Sequence, residues 1–230
     1  MPNPHPMDLI VKICGLSTEE TLDAALEAGA DMVGFVFFAK SPRFISVERA
    51  AALARRARGR AEIVALTVDV AEGEFDNILE ILRPDWLQLH GVESVDAVDV
   101  IKMTSGVKVM KALPVSGAFD LERALRYAPV CDRLLLDAKP PKGADRPGGH
   151  GRIFDWALLR GFVPPIPYLL SGGLTPDNVG EAVRITGTQG VDVSSGVETA
   201  PGIKSPDLIR TFIANARAAV GNRIKEKAAS

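Results

Sequence analysis

The chain has 230 residues, 47% hydrophobic and 24% charged, with a formal net charge of -2. This is the composition of a globular protein able to bury a sizeable core, and without a block of like charge it offers no footing to a nucleic acid or an anionic membrane. The opening MPNPHPMDL lacks the basic and apolar regions of a signal peptide, and MVGFVFFA at 32–39 is too short to span a bilayer.

The first apolar run, VKIC at 11–14, stops at Gly15 and is followed by STEETLDAALEAG, whose Ser/Thr/Glu start and Gly stop are helix-capping signals. MVGFVFF at 32–38 leads through Ser41-Pro42-Arg43 into the helical pattern SVERAAALARRAR. EIVALTV at 62–68 precedes EFDNILEIL, and WLQLH at 86–90, KVMKAL at 108–113 and RLLLD at 133–137 continue the series. Next comes AKPPKGADRPGGHGR, long for such a connection and without either period. Its glycines and its basic Lys139, Lys142, Arg146 and Arg152 suit a mobile lid over an anionic substrate, with plain disorder as the competing reading. YLLSG at 168–172 with TPDNVGEAVRITG, then GVDVSS at 190–195 with SPDLIRTFIANARAAVG, complete the chain.

Eight strands alternating with helices predict parallel pairing, right-handed crossovers and closure into one (β/α)8 TIM barrel rather than an open sheet. No Pro/Gly/Ser linker divides the chain, so residues 1–230 are read as one domain. Its core spans roughly 8–220, with a disordered extreme N-terminus and a tail frayed after about Gly221. Two cysteines, Cys14 and Cys131, make no disulfide framework and no zinc-type spacing, which points to free thiols and a cytoplasmic setting.

Barrels of this kind work at the C-terminal ends of their strands. Here those ends carry Cys14, then Arg43 just beyond the second strand, Asp69, His90, Lys111, Asp137, Ser171-Gly172-Gly173 and Ser194-Ser195-Gly196. The last two turns match the usual phosphate grip, in which glycines let backbone amides approach an anion; each is expected to lead toward a helix. A phosphorylated small molecule is the ligand this implies. Strand parity turns Lys12, Gln88 and Asp192 into the barrel, and because the first and last strands are neighbours there, Lys12 is expected to pair with Asp192 and to favour a Cys14 thiolate.

Each of these residues also has a plainer reading. A free cysteine is often only a small buried hydrophobe, Asp137 suits a turn cap, and Arg43 suits the surface, although a guanidinium at that exit can bind a carboxylate bidentately. His90 reads more readily as a histidine satisfied by hydrogen bonds behind the site than as a substrate contact. Cys131, at the opposite end of the barrel, reads as structural, Met103 and Met110 as packing residues, and Arg55, Arg56, Arg58 and Arg60 as a solvated helix face.

Six segments, in order, resemble the phosphoribosylanthranilate isomerase family: KICGL at 12–16, SPRFIS at 41–46, LQLHG at 87–91, LLLDA at 134–138, LSGGLTPDNV at 170–179 and VDVSSGVE at 191–198. The resemblance implies an Amadori rearrangement of N-(5-phosphoribosyl)anthranilate to 1-(2-carboxyphenylamino)-1-deoxyribulose 5-phosphate in tryptophan biosynthesis, with neither cofactor nor metal. It implies Asp137 as general acid, Cys14 as general base and Arg43 near the anthranilate carboxylate. His90, Gly172, Gly173, Ser195 and Gly196 would bind substrate, the last four around the phosphate. A thiol with an ordinary pKa near 8.5 lies closer to working pH than a serine hydroxyl does, which suits it to a base. The chain departs from the pattern at His150, where a hydroxyl is usual, at Ser205-Pro206-Asp207 before the last helix, and at ALTVDV, where Asp69 receives no role.

Other readings remain. The histidine-pathway aldose–ketose isomerase on the same fold has an aspartate where Cys14 stands. A metal-dependent epimerase needs a converging ligand set, and the chain has only three histidines. A non-catalytic phosphate-binding barrel is disfavoured by Cys14 with Asp137, and a thiol sensor by the lack of a resolving cysteine nearby. Family members occur as monomers or homodimers, and the lack of an evident apolar stripe favours a monomer.

Overall fold

The computed structural model describes residues 9–70, 72–139, 143, 148–149, 151 and 153–228, with backbone alone at 72–74 and 221–228. Eight parallel strands close in sequence order: β1 (Ile10–Cys14), β2 (Met32–Phe37), β3 (Glu62–Thr67), β4 (Trp86–Leu89), β5 (Lys108–Val115), β6 (Arg133–Ala138), β7 (Tyr168–Leu170) and β8 (Gly190–Val193). Outside them run α1 (Glu19–Glu27), α2 (Val47–Ala57), α3 (Glu72–Leu82), α4 (Val95–Ser105), α5 (Ala118–Leu125), α6 (Val179–Thr186) and α7 (Pro206–Ala228). The expected TIM barrel is therefore present.

Local chemistry sets the ends of these elements. Thr18, Ser46 and Ser94 cap α1, α2 and α4 by accepting from an amide in the first turn, and Gly106 and Gly187 end α4 and α6 in the left-handed conformation. At the N-terminal end of the barrel, Asp31, Asp85 and Asp132 each stand just before a strand. They accept from the amides of Val11, Ile63 and Val109 on the preceding strand at 2.7, 2.7 and 2.8 Å. These bonds tie β2, β4 and β6 to the strands before them and so help hold the register of those pairs.

The strands are buried on both faces, as parallel strands must be. Outward side chains such as Val11, Phe35, Ile63, Leu87 and Leu136 pack against the helices. Inward ones form a floor of Met32, Val64, Trp86, Met110, Leu135 and Leu169, with Cys14, Val36 and Leu66 clustered separately above it.

Several expectations need correction. Among the described residues, the sixth crossover holds one 3-10 turn, Trp156–Leu159, and no α-helix. Gly161 at φ 73° and the pair Pro164-Pro165 leave no room to extend it. β8 does not lead toward a helix; it enters a 3-10 turn, Ser195–Val197, and then a hairpin of β9 (Glu198–Ala200) and β10 (Ile203–Lys204) before α7. α7 runs through Gly221 to Ala228, since one internal glycine costs a helix only about 1 kcal/mol. Met103 does not pack: it is 78% exposed on α4 near exposed Val100, whereas Met110 is fully buried. The extreme N-terminus, Lys142, Arg146, His150 and Arg152 lie outside the described residues.

Cys131 is structural in its contacts, its Sγ donating to the Tyr127 carbonyl at 3.1 Å. Burial pushes its pKa from 9.0 up to about 11. The folded chain then keeps a proton that the unfolded chain releases, so stability is present below the unfolded value and is lost as pH rises toward the folded one. Comparison with Cys131→Ala cancels other titrating groups. The wild type's advantage in reversible urea unfolding is expected to shrink by about 2–3 kcal/mol between pH 9 and 11. A difference that stays constant with pH would return the thiol to its ordinary value.

Candidate active site

The C-terminal mouth of the barrel opens into a cavity of about 790 Å³, counting its open side. Cys14, Arg43, His90, Asp137, Gly172, Gly173 and Ser195 all line it. Gly196 does not. It lies behind the wall, where a Cβ would run into the Leu174 carbonyl, so its contribution is close packing of the two glycine-bearing turns.

Lys12, two residues before Cys14 on β1, faces inward as parity requires. The β1–β8 register sets it opposite Asp192, and its Nζ donates to Asp192 Oδ1 at 2.6 Å. Ser171 Oγ, at the end of β7, donates to Asp192 Oδ2 at 3.0 Å. On β2 the space is kept by Gly34, where a Cβ would lie 3.0 Å from Cys14 Sγ and 3.2 Å from Lys12 Nζ. Burial pulls the Lys12 ammonium down, but the Asp192 carboxylate, helped by Cys14 when that group ionises, outweighs it and leaves its pKa raised.

The expectation of a favoured thiolate is half right. Burial pushes the Cys14 thiol up; Lys12 and Lys204 pull it back without cancelling that, and Asp192 adds to the rise. The resting group is therefore a thiol with cations placed to stabilise its anion. Lys12→Met is expected to cost about 3–5 kcal/mol by leaving Asp192 buried and unpaired, and adding Asp192→Asn should recover most of it. In a Cys131→Ala background, the same Lys12 variant should move the pH dependence of Cys14 alkylation upward. An unchanged alkylation profile would remove Lys12 from the thiol's environment.

Asp137 faces the cavity from β6. Its Oδ1 accepts from the Ala138 amide at 2.9 Å, and its Oδ2 lies 3.2 Å from His90 Nε2. His90 Nδ1 is in turn 3.1 Å from Gln88 Nε2, an amide nitrogen that only donates. In this arrangement Nδ1 accepts, and Nε2–H donates to Asp137 Oδ2. Gln88 Oε1 is buried without a partner among the described residues. Rotating that amide would let Oε1 accept from Nδ1–H and free Nε2 to accept from a protonated Asp137, so the His90–Gln88 pair can serve either state of the carboxyl. Gly148, in the segment after β6, reaches the same point: a Cβ there would stand 2.8 Å from Asp137 Oδ2 and 3.1 Å from the His90 ring.

Arg43 follows β2 in a turn where Ser41 Oγ accepts its amide at 3.1 Å. Its Nε and Nη2 donate to Glu198 Oε1 and Oε2 at 2.7 and 2.8 Å. Glu198 lies on β9 and was not singled out by the sequence, although it closes the VDVSSGVE segment. Lys204 on β10 was also missed; its Nζ donates to Glu198 Oε1 at 2.7 Å and to the Ser194 carbonyl at 2.8 Å. Burial pulls Lys204 down to about 8, with Glu198 opposing. Burial raises Glu198, but the neighbouring Arg43 and Lys204 win and hold it below the usual carboxylate range.

The glycine-rich turns stand opposite Arg43's loop in sequence. Gly172 and Gly173 take φ of 87° and 64°, and a Cβ at Gly172 would meet the Ala138 backbone amide, so both chains pass closer than a side chain permits. Val36, Phe38, Leu66 and Val68 complete an apolar wall beside Cys14.

A proton-carrying thiol and a carboxyl on separate strands of one barrel mouth place the chain among the acid–base enzymes built on the (β/α)8 fold. The family profile described as N-(5'phosphoribosyl)anthranilate (PRA) isomerase matches residues 11–215. An N-(5'-phosphoribosyl)anthranilate isomerase of Rhodopseudomonas palustris is 59% identical over 93% of this chain and all of its own. Among solved structures, the phosphoribosyl anthranilate isomerase of Thermotoga maritima is 37% identical with a TM-score of 0.82, covering 91% of this chain and 99% of its own. A further isomerase, solved with reduced 1-(o-carboxyphenylamino)-1-deoxyribulose 5-phosphate, is 35% identical with a TM-score of 0.79 over the same shares. The chain belongs to the N-(5'-phosphoribosyl)anthranilate isomerase family, the isomerases of tryptophan biosynthesis.

Proposed function

We propose that this chain carries out the family's rearrangement of N-(5'-phosphoribosyl)anthranilate with Asp137 as general acid and Cys14 as general base. Asp137 gives its proton to the furanose ring oxygen while the C1–O bond breaks and the anilino nitrogen's pair forms the C=N bond of a Schiff base. Cys14, acting from the fraction that has lost its thiol proton to solvent, then takes the proton from C2 as a thiolate and becomes a thiol again. That electron pair becomes the C1=C2 bond of an enolamine, the C=N electrons return to nitrogen, and tautomerisation through C1 leaves the ketone. The observation that carries this reading is that β1 and β6 present the two groups to one cavity, with Lys12 and Lys204 disposed to stabilise the thiolate and His90 bonded to the acid.

Arg43 takes the anthranilate carboxylate, the wall of Val36, Phe38, Leu66 and Val68 takes the ring, and Gly172, Gly173 and Ser195 take the phosphate. Binding at those remote groups holds the reacting carbons between acid and base. The reading extends to a one-domain cytoplasmic protein, monomeric or homodimeric, whose partner is this phosphorylated small molecule. Turnover of freshly generated substrate, followed as loss of anthranilate-type fluorescence, tests it. Rapid turnover by the wild type and its loss in Cys14→Ala and Asp137→Asn is the expected result; a folded wild type without turnover would overturn it.

A further inference from the structure

Glu198 takes no part in those steps and Lys204 enters them only as a positive charge near the sulfur, yet the two are among the most enclosed charges of the molecule, with side chains 4% and 1% exposed. Charges so placed are expensive unless every group is satisfied, and breaking such a pair is worse than never having it. Here each contact serves the site. Both Glu198 oxygens meet the Nε and Nη2 edge of Arg43, a planar fork that a second fork holds in one orientation. Lys204 fixes Glu198 from behind and anchors itself on the Ser194 carbonyl and, at 3.1 Å, on Ser194 Oγ. Ser194 Oγ donates in turn to the Cys14 carbonyl at 3.1 Å. One unbroken set of bonds therefore runs from Arg43 to the backbone of Cys14, through the short hairpin that follows β8.

The remaining guanidinium nitrogen, Nη1, is turned toward the lid, where a Cβ at Gly149 would come within 2.5 Å of it. With its other edge taken by Glu198, Arg43 has one nitrogen-bearing side left for a ligand, and Glu198 decides which way that side faces. We propose that Glu198, braced by Lys204, is a positioning residue that aims Arg43 at the substrate's aryl carboxylate and so sets the preference for a carboxylated aromatic amine. This rests on the reading of Arg43 as the carboxylate's partner. Because that contact is remote from C1 and C2, its loss removes binding shared by ground and transition states.

The test compares Glu198→Gln with Glu198→Asp, which keeps the charge but withdraws it by one methylene. Arg43→Met serves as the reference, and melting temperatures identify variants that remain folded. Reduced 1-(o-carboxyphenylamino)-1-deoxyribulose 5-phosphate and ribose 5-phosphate are titrated as competitive inhibitors, one with the aryl carboxylate and one without. The expected result is a KM raised about 10- to 100-fold with kcat within about twofold, as misaiming a clamp by an ångström can produce. The carboxylated inhibitor should weaken in parallel, ribose 5-phosphate should bind as before, and Glu198→Asp should fall between. Equal weakening of both inhibitors, or of neither, would overturn the proposal. Arg43→Met with unchanged KM would instead overturn the assignment of Arg43, and this inference with it.

Discussion

Asp137→Asn lowers kcat by about 10³-fold, within the range that removal of a positioned general acid produces, while the reduced product analogue binds nearly as before. The amide keeps the shape of the carboxyl, and its oxygen can still accept from the Ala138 amide that now bonds Asp137 Oδ1 at 2.9 Å. It cannot deliver a proton to the ring oxygen. The side chain is 9% exposed, so bulk water has poor access to replace the donor. Steady-state turnover and titration of the analogue on the same preparation check both halves. A variant that retains more than about a tenth of wild-type kcat would remove Asp137 as the acid.

Cys14→Ala has an effect of similar size by a different route. The thiol is 2% exposed beneath the cavity, so truncation removes the base without opening a broad path for water. Cys14→Ser should be no rescue, because a hydroxyl's pKa lies too far above working pH to supply an anion even beside Lys12 and Lys204. The Cys14→Ala variant still opens the ring through Asp137, so proton removal from C2 becomes rate-limiting. Its turnover of C2-deuterated substrate is expected to show a primary isotope effect larger than that of Asp137→Asn. The double variant should be scarcely slower than the worse single one, since the two groups serve one sequence of steps. Equal isotope effects in both variants would remove Cys14 from the C2 step.

The two steps differ in how much of the site they ask the protein to prepare. Burial leaves Cys14 protonated at rest. Lys12, paired with Asp192, and Lys204, paired with Glu198, bring positive charge toward the sulfur without exposing it to solvent. Such fixed charges help when the anion forms and require no rearrangement at that moment.

Much of this was determined by the sequence alone, because its signals are local. A period of two along each apolar run decides which side chains face inward, so the pairing of Lys12 with Asp192 and the inward turn of Gln88 followed from counting. Capping residues and glycines delimited the strands and helices, and the end of each strand identified Cys14, Asp137, Arg43, His90 and the two glycine-rich turns. What tertiary structure decided was whatever depends on residues far apart meeting in one place. Arg43 and Glu198 are 155 positions apart, and no spacing rule marks them as partners. The same holds for Lys204, whose contacts with Glu198 and Ser194 exist only once the hairpin has formed. Gly196 packs against the Leu174 carbonyl, which a Cβ there would meet, while Ser195 beside it lines the cavity. The thiol's resting state belongs to this second group as well. It is the balance of desolvation against charges arriving from β1, β8 and the hairpin, a sum that exists only once the barrel has closed around Cys14.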